Sequence, residues 1–262
     1  MKISLALSGG AARGAFHLGV IAALQRHGVE IAAISGTSIG AVIAAGIGSG
    51  VSAFDLIRLF TSKAFRKIFC FNYFYKGALR IDEKADILKE IAPIARLEEM
   101  MIPTFVSCVD LNSGEVVRFS TGDTIRLAIG SSALIPLFRP IAYENYLLID
   151  GGFMDNLPVK PLLDLGYPVV SVTLFPLHVK GVLAKISSFE RAISLSMLAS
   201  SERQIEQSDL CISDPSLNDF GLFTFKEMMA CFELGYTKGS EAILNFRDKQ
   251  AIIEPFLENE GR

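Results

Sequence analysis

The chain has 262 residues, half of which are apolar and 20% charged, so it can bury a large core and is not disordered as a whole. Its 25 Lys and Arg residues and 28 Asp and Glu residues give a formal net charge of −3. This balance excludes nucleic-acid binding through overall charge, because such binding needs an excess of cations to neutralise several phosphates.

Short apolar runs alternate with helical patterns along the chain. The first pair is a strand at Ile3–Leu7 and a helix at Gly14–Arg26. Further strands are predicted at Glu30–Ile34, Pro103–Val109, Val116–Phe119, Leu147–Ile149, Val169–Leu174 and Leu210–Ile212. Further helices are predicted at Ile39–Ile47, Phe54–Ser62, Asp82–Ile91, Asp123–Gly130, Val159–Leu165, Ser188–Glu206 and Phe225–Phe246. Because helices separate the apolar strands, we expect an α/β fold with a mostly parallel sheet covered on both faces.

The organisation of the chain favours one domain. No internal repeat and no linker divides it, so we expect a single domain over residues 1–262, with an acidic tail at 254–262. An Asn-Ser-Gly turn at 112–114, between two strand patterns, predicts an antiparallel hairpin at one edge of the sheet.

Two uncharged apolar segments raise the question of membrane insertion. The run at residues 3–7 is too short for the apolar region of a signal peptide, and we interpret it as a strand. Residues 31–54 are long enough to span a bilayer, but glycines and hydroxyl residues dilute their apolar character. We therefore expect a strand, a turn and a helix there instead of a transmembrane segment.

The cysteines predict neither disulfides nor a metal site. There are four of them, far apart in the sequence and among apolar neighbours: Cys70, Cys108, Cys211 and Cys231. They form no CxxC pair, and no cluster of acidic residues and histidines has metal-ligand spacing. We predict buried thiols, no metal or other cofactor, and a reducing, cytoplasmic location.

A candidate nucleophile, Ser38, lies between the strand at Glu30–Ile34 and the helix at Ile39–Ile47. A serine on a sharp strand-to-helix turn exposes its Oγ. Gly36 and Gly40 remove side chains that would collide where strand and helix converge. The positive end of the helix dipole would also favour negative charge that develops beside this serine. The pattern favours a nucleophile, and the alternative is a turn built from small residues.

A glycine-rich loop with the sequence SGGAARG lies between the first predicted strand and helix. It does not fit the P-loop motif, because no Lys-Ser or Lys-Thr pair follows Gly14. It does not fit the dinucleotide-binding motif GxGxxG either, because Ala11 stands where that motif needs glycine. Converging N–H groups at a helix N-terminus can still bind an anion, so we predict an oxyanion hole at Gly9, Gly10 and Ala11. Arg13 either holds this loop through carbonyl oxygens or faces solvent.

A serine nucleophile needs a base, and the sequence offers two candidates. Asp150 ends an apolar run, and the following Gly151 and Gly152 leave room for another loop to approach. His178 gives the chain order serine, aspartate, histidine that is found in α/β-hydrolase triads. An Asp-Gly pair is also a common turn, and scattered histidines can supply this order by chance, so the residues alone leave both alternatives open.

Together, the glycine loop, the Ser38 motif and the Asp150 motif resemble those of the patatin-like phospholipases. Further similarity lies in SSALIPLFRP at 131–140 and in FMDNLPV after Gly152, so the resemblance covers roughly residues 3–175. It implies a three-layer α/β/α fold and acyl hydrolase activity on phospholipids or other acyl lipids, with residues 176–253 as helices that complete the domain.

By motif position, the resemblance makes Ser38 the nucleophile and Asp150 the base of a Ser–Asp dyad, with the glycine loop as the oxyanion hole. The family usually has a third consecutive glycine where Ala11 stands. Since an ordinary Asp has a pKa near 4 and is a poor base, Asp150 must be held close to Ser38 in a partly desolvated site. Hydrolysis would then proceed through an acyl-enzyme on Ser38.

Residues 56–80 carry six cations, seven aromatic rings and no acidic residue. Rings interleaved with cations suit the headgroup region of an anionic membrane, so we predict a surface-docking or lid element there. The alternative is a core helix with a solvated basic face. For the chain as a whole, the alternatives to lipid hydrolysis are acyl transfer from the same serine to another alcohol and a non-catalytic lipid-binding module.

Overall fold

The computed structural model describes residues 1–71, 79–176 and 188–257. The strands are β1 (Lys2–Leu7), β2 (Glu30–Thr37), β3 (Phe69–Phe71), β4 (Leu79–Ile81), β5 (Thr104–Asp110), β6 (Glu115–Phe119), β7 (Ile141–Tyr143), β8 (Tyr146–Asp150), β9 (Val169–Val172) and β10 (Leu210–Ile212). The helices are α1 (Ala15–Arg26), α2 (Ile39–Gly48), α3 (Ala53–Thr61), α4 (Lys63–Lys67), α5 (Asp86–Ile91), α6 (Thr124–Ser131), α7 (Ser188–Ala199), α8 (Glu202–Glu206) and α9 (Met228–Leu257).

Within these ranges, the central sheet has eight strands. Seven of them follow the order β10-β9-β1-β2-β5-β8-β7, and the eighth, β6, pairs with β5 outside this order. The strands from β10 to β5 run parallel to one another. The pairs β5–β6, β5–β8 and β7–β8 are antiparallel. The prediction of a mostly parallel α/β sheet with an antiparallel hairpin at 112–114 is therefore confirmed.

Alternate residues of the parallel strands pack on opposite faces of the sheet. Leu5 and Leu7 belong to a large apolar cluster that includes buried residues of α1, α2 and α9. Ala6 belongs to a smaller cluster with Leu157 and Leu162, from the segment that leads into β9. Because neighbouring strand residues point to opposite faces, these two clusters give the sheet a covering layer on each side.

The antiparallel part of the sheet brings two strand ends together. β2 ends at Thr37, which lies beside Ser107 of β5. β8 ends at Asp150, which lies beside the next residue of β5, Cys108, on the same side of that strand as β2, because β6 occupies the other side of Val106, Ser107 and Cys108. Because β2 runs parallel to β5 and β8 runs opposite to it, their carboxyl ends meet end to end along one side of β5.

The predicted strands all coincide with observed ones, but the sequence analysis misses β3, β4 and β7, which have three residues each. Helix boundaries are less accurate. The helix predicted at Asp82–Ile91 begins only at Asp86, the one predicted at Val159–Leu165 is a 3-10 helix, and the one predicted at Ser188–Glu206 is divided into α7 and α8. The last helix continues to Leu257, four residues into the predicted tail, and residues 258–262 lie outside the described ranges.

No helix in the described ranges is both long enough and apolar enough to cross a membrane. In the same part of the chain, no group of three His, Cys, Asp or Glu side chains could hold a metal ion. Cys108 and Cys231 are buried free thiols, and Cys211 is a half-buried one. The side chain of Cys70 lies outside the described part of the structure.

Candidate active site

Ser38 lies on a tight turn between β2 and α2. Its backbone is left-handed, with φ of 55° and ψ of −126°, a conformation that costs free energy in a residue other than glycine. A Cβ on Gly36 would collide with the backbone of Gly40, and one on Gly40 would collide with the Leu7 carbonyl. Both flanking glycines are therefore required by the close approach of strand and helix, for the steric reason inferred from the sequence.

Asp150 lies directly opposite the candidate nucleophile. Ser38 Oγ donates a hydrogen bond of 2.8 Å to Asp150 Oδ2, and the Gly152 N–H donates one of 2.8 Å to Asp150 Oδ1. Asp150 is only 2% exposed. Burial raises the pKa of Asp150 from 3.8 to about 7, although the hydrogen bonds from Gly152 and Ser38 act in the opposite direction. The carboxyl group can therefore accept and release a proton near neutral pH.

The two glycines after Asp150 fit the strand end against its neighbours. A Cβ on Gly151 would collide with the main-chain carbonyl of Ser107. One on Gly152 would collide with the side chain of Met197. The Asp-Gly-Gly sequence thus allows the chain to turn directly behind the carboxylate without pushing it away from Ser38.

The glycine-rich loop leaves two amide groups unused beside the dyad. The Gly9 N–H is occupied, because it donates to Asn156 Oδ1 at 3.1 Å, so the predicted oxyanion hole does not include this amide. Within the described residues, the N–H groups of Gly10 and Ala11 donate to no acceptor. Gly10 has φ of 150° and Ala11 has φ of 50°, so an alanine occupies a left-handed position where glycine would be relaxed. The amides available to an anion are those of Gly10 and Ala11.

Arg13 anchors the glycine loop to two other segments of the chain. Its guanidinium donates to the carbonyls of Phe220 at 2.9 Å and Leu174 at 3.2 Å, and the residue is only 2% exposed. Burial lowers the pKa of Arg13 to about 10, which leaves it cationic at neutral pH. Of the two roles left open by the sequence, the structure shows the first, in which Arg13 holds the loop. A Cβ on Gly14 would collide with Ile39, so α1 and α2 also begin in close contact.

The histidines of the described chain lie outside the dyad. His17 is buried, and its Nε2 donates to the Ser8 carbonyl at 2.8 Å, since a carbonyl oxygen can only accept. Burial lowers the pKa of His17 to about 4, so its ring is neutral. His27 ends α1 as its C-cap. His178, the base of the alternative triad, lies outside the described residues, and Ser38 bonds directly to Asp150.

A cavity of about 630 Å³ lies over the dyad and the unused amides. Ser38, Asp150, Gly10 and Ala11 line it at the dyad, and its other polar lining residues are Arg66, Ser132 and Glu190. Most of the remaining wall consists of aliphatic and aromatic side chains from α4, α7, the β3–β4 ribbon and the segments 134–138 and 222–228. The volume falls within the range of about 300–1,000 Å³ that is usual for small-molecule sites. The site can therefore hold an apolar chain with one polar group at the dyad.

The aromatic rings of residues 56–80 whose side chains are described pack into the protein. Phe60 and Phe65 are buried and stack with 4.8 Å between ring centroids. Phe65 and Phe69 line the cavity and pack edge to face at 5.7 Å. These rings face the interior, whereas Arg66 beside them is exposed. In the described residues the rings therefore pack inside, next to exposed cations, and surface docking of this segment stays a prediction. The other four aromatic side chains lie outside the described part.

Two polar residues that sequence reasoning did not single out support the site. Asn156 is fully buried, and it binds the Gly9 amide through Oδ1 and Ser201 Oγ through Nδ2. Asp155 accepts a hydrogen bond from Thr37 Oγ1 on its carbonyl, at 2.7 Å. Both follow the Asp-Gly-Gly motif directly, and this closeness is the signal that could have identified them.

The fold and this site define a class of α/β proteins in which a serine on a strand-to-helix turn faces a buried aspartate beside a glycine-rich loop. A family model described as patatin-like phospholipase matches residues 5–163, which is more than half of the chain. The chain therefore belongs to the patatin-like phospholipase family.

Comparison with known proteins gives relatives of the same kind. The chain is 32% identical over 169 residues to an uncharacterised NTE family protein of Mycobacterium tuberculosis, which covers 62% of this chain and 45% of that protein. It is 33% identical over 173 residues to lysophospholipase NTE1 of Mycosarcoma maydis, and the matched region makes up 63% of this chain and 9% of that protein. The chain thus spans less than half the length of these relatives.

A solved structure supports the fold assignment. VipD from Legionella pneumophila superposes on this chain with a TM-score of 0.53 and 14% sequence identity, covering 93% of this chain and 67% of that one. At this level of identity the likeness concerns the fold alone, and it agrees with a three-layer α/β/α architecture.

Proposed function

We propose that this chain is a lipid acyl hydrolase in which Ser38 is the nucleophile and Asp150 the general base. The observation that carries the proposal is the 2.8 Å hydrogen bond from Ser38 Oγ to Asp150 Oδ2 at the floor of a largely apolar cavity. A buried carboxyl group with a pKa of about 7 is a far better base toward a hydroxyl than an ordinary aspartate.

The proposed reaction proceeds through a covalent intermediate. Ser38 Oγ attacks the ester carbonyl while its proton passes to Asp150 Oδ2. The carbonyl oxygen becomes an oxyanion, which accepts hydrogen bonds from the Gly10 and Ala11 amides. When the C–O bond to the alcohol breaks, the leaving oxygen takes the proton from Asp150. A water molecule then attacks acyl-Ser38, gives its proton to Asp150, and the released Ser38 oxygen recovers that proton.

The cavity supports an acyl lipid as the substrate. Each methylene group buried there contributes about 0.8 kcal/mol, so binding favours long acyl chains over short ones. The names of the lysophospholipase relatives agree with this class, and we infer phospholipids, lysophospholipids or related esters as substrates.

A chain-length series of soluble esters tests the proposal, with wild type, Ser38→Ala and Asp150→Asn. We expect the wild type to hydrolyse the esters with kcat/KM that rises with chain length, and both variants to lose nearly all of the rate. A fluorophosphonate probe should label the wild type and leave Ser38→Ala unlabelled. Absence of hydrolysis and of labelling in folded wild type would favour a non-catalytic lipid-binding module. Added acceptor alcohols would reveal acyl transfer by the formation of new esters.

We also propose that α4 contacts an anionic lipid surface. Its cations Lys63 and Arg66 are exposed, and the described residues place no carboxylate within ion-pair distance of either. Phe65, between them, turns into the cavity, which Arg66 also lines, so the exposed cations lie next to the cavity. A surface of this charge is complementary to acidic headgroups.

Vesicle flotation tests this contact with one charge-reversal variant and a matched control. Lys63→Glu changes two charge units on α4, at about 1 kcal/mol per charge, so binding to anionic vesicles should fall by roughly 30-fold. Lys2→Glu makes the same change at the amino end of β1, the end opposite to the strand carboxyl ends that carry the dyad, and should bind like the wild type. Equal binding by Lys63→Glu and wild type would rule out this surface.

A further inference from the structure

The main-chain amide of Ser38 is held by another serine. The Ser38 N–H donates to Ser131 Oγ at 2.8 Å, and Ser131 Oγ–H donates to the Ser107 carbonyl at 2.6 Å. Ser131 is the last residue of α6 and is fully buried. The hydroxyl proton is directed to a fixed carbonyl on β5, so a lone pair of the same oxygen faces the Ser38 amide.

The same turn also holds the other member of the dyad. The Asp150 N–H donates to the Ala133 carbonyl at 3.1 Å. Two residues of one short turn, Ser131 and Ala133, therefore bind the main chain of Ser38 and of Asp150. The turn contacts both sides of the junction where β2 and β8 meet end to end along β5.

From this geometry we propose that Ser131 is a positioning residue, which together with the Ala133 carbonyl sets the separation between Ser38 Oγ and Asp150 Oδ2. The inference rests on the proposed function of the dyad. Ser131 does not itself line the cavity, and its hydrogen bond to Ser38 is to the main-chain amide, so its effect passes through the Ser38 backbone.

The backbone conformation of Ser38 explains why such a contact is needed. A left-handed φ of 55° in a residue with a side chain persists only where the surroundings hold it. Gly36 and Gly40 permit the turn sterically but do not bind the Ser38 amide. Without the Ser131 oxygen, that amide would lack its acceptor and the backbone would relax, which would lengthen the Ser38–Asp150 hydrogen bond.

Ser131→Ala tests the inference, with Ser35→Ala as the matched control. Ser35 is also fully buried, and its hydroxyl donates a hydrogen bond of 2.6 Å to the main-chain carbonyl of Pro158. Unlike Ser131, it accepts no hydrogen bond from Ser38 or Asp150. On a soluble short-chain ester we expect Ser131→Ala to lower kcat by about 10- to 100-fold and to leave KM within twofold. Ser35→Ala should keep kcat within twofold of the wild type.

The pH–rate profile separates positioning from general damage to the fold. The hydrogen bond from Ser38 favours the ionised form of Asp150, so loosening it should raise the pH of half-maximal rate in Ser131→Ala. Ser35→Ala should keep the wild-type midpoint. A kcat within twofold of the wild type for folded Ser131→Ala would overturn the inference, and so would equal losses of kcat in the two variants.

A milder variant keeps the test decisive if Ser131→Ala does not fold. Ser131→Cys retains a weak donor and acceptor of similar size. If both variants fold, we expect its kcat to lie between those of the wild type and Ser131→Ala. If only Ser131→Cys folds, we expect its kcat to be at least fivefold below that of the wild type. Wild-type kcat in Ser131→Cys, when Ser131→Ala cannot be measured, would contradict the inference. Failure of the proposed function is distinguishable, because wild type itself would then show neither hydrolysis nor fluorophosphonate labelling.

Discussion

Asp150→Asn is expected to abolish hydrolysis and at the same time to stabilise the fold at neutral pH. The asparagine has the same shape, can still accept the Gly152 N–H, and carries no charge to bury. In the wild type, the pKa of Asp150 lies near 7 in the folded chain and near 3.8 when unfolded, because burial disfavours the ionised form. A raised carboxyl pKa means that the folded state holds its proton more tightly, so stability falls as pH rises.

The size of this effect follows from the difference between the two pKa values of Asp150. At about 1.4 kcal/mol per unit, the 3.2 units between 3.8 and 7 correspond to about 4 kcal/mol of lost stability. The loss begins near pH 4, reaches about 2 kcal/mol at pH 5 and is complete above pH 7. Asp150→Asn avoids it, so its advantage over the wild type should grow across the same pH range.

Urea unfolding at pH 5 and pH 8 measures this difference. We expect Asp150→Asn to exceed the wild type in free energy of unfolding by about 2 kcal/mol at pH 5 and about 4 kcal/mol at pH 8. Asp164→Asn neutralises an exposed carboxylate and should show no comparable pH-dependent gain. The reasoning is refuted if Asp150→Asn is no more stable than the wild type at pH 8, or if the difference does not depend on pH.

Three further predictions concern the activity of the site. The kcat/KM for a soluble ester should rise with pH around a midpoint near 7, because Asp150 must be ionised to accept the Ser38 proton, and a rate independent of pH between 5 and 9 would contradict this role. Asn156→Ala removes the side-chain acceptor of the Gly9 amide and should lower kcat by about 3- to 10-fold in a steady-state assay, whereas an unchanged kcat would make this contact dispensable for the loop. Ile193→Trp adds bulk to the cavity wall. It should reduce kcat/KM for long-chain esters by about fourfold for each methylene group that no longer fits, and leave kcat/KM for short-chain esters unchanged. A uniform loss over all chain lengths would argue against an acyl site there.

The residues of the candidate dyad could be predicted because local sequence determines where each one lies. Ser38 stands between an apolar strand and a helix and is flanked by glycines at the two positions where the structure leaves no room for a side chain. Asp150 ends an apolar strand before two glycines. Their meeting beside β5 could not be derived from periodicity, because it depends on the register of an antiparallel strand more than a hundred residues away in the chain.

The oxyanion loop shows where local sequence is insufficient. Gly9, Gly10 and Ala11 are equivalent by pattern, yet the Gly9 amide is occupied by Asn156, 147 residues further along the chain. Nothing near Gly9 in the sequence indicates that partner. Likewise, the composition of residues 56–80 gives cations and rings but not their directions, since α4 has only five residues and is too short for a helical periodicity to appear.

The register of β5 explains why the dyad needs supports beyond the sheet. A slip of one residue moves a strand by about 3.3 Å, which is larger than the tolerance of a hydrogen bond and would separate Ser38 from Asp150. Ser107, beside the end of β2, is fixed by its Oγ–H bond of 2.7 Å to Asp155 Oδ2, and Arg118 of β6 donates to the same oxygen at 2.8 Å. Since Asp155 is buried and Arg118 is only partly exposed, this ion pair is shielded from solvent. It holds β5 and β6 in register with the chain after β8, and the catalytic geometry proposed for Ser38 and Asp150 depends on that register.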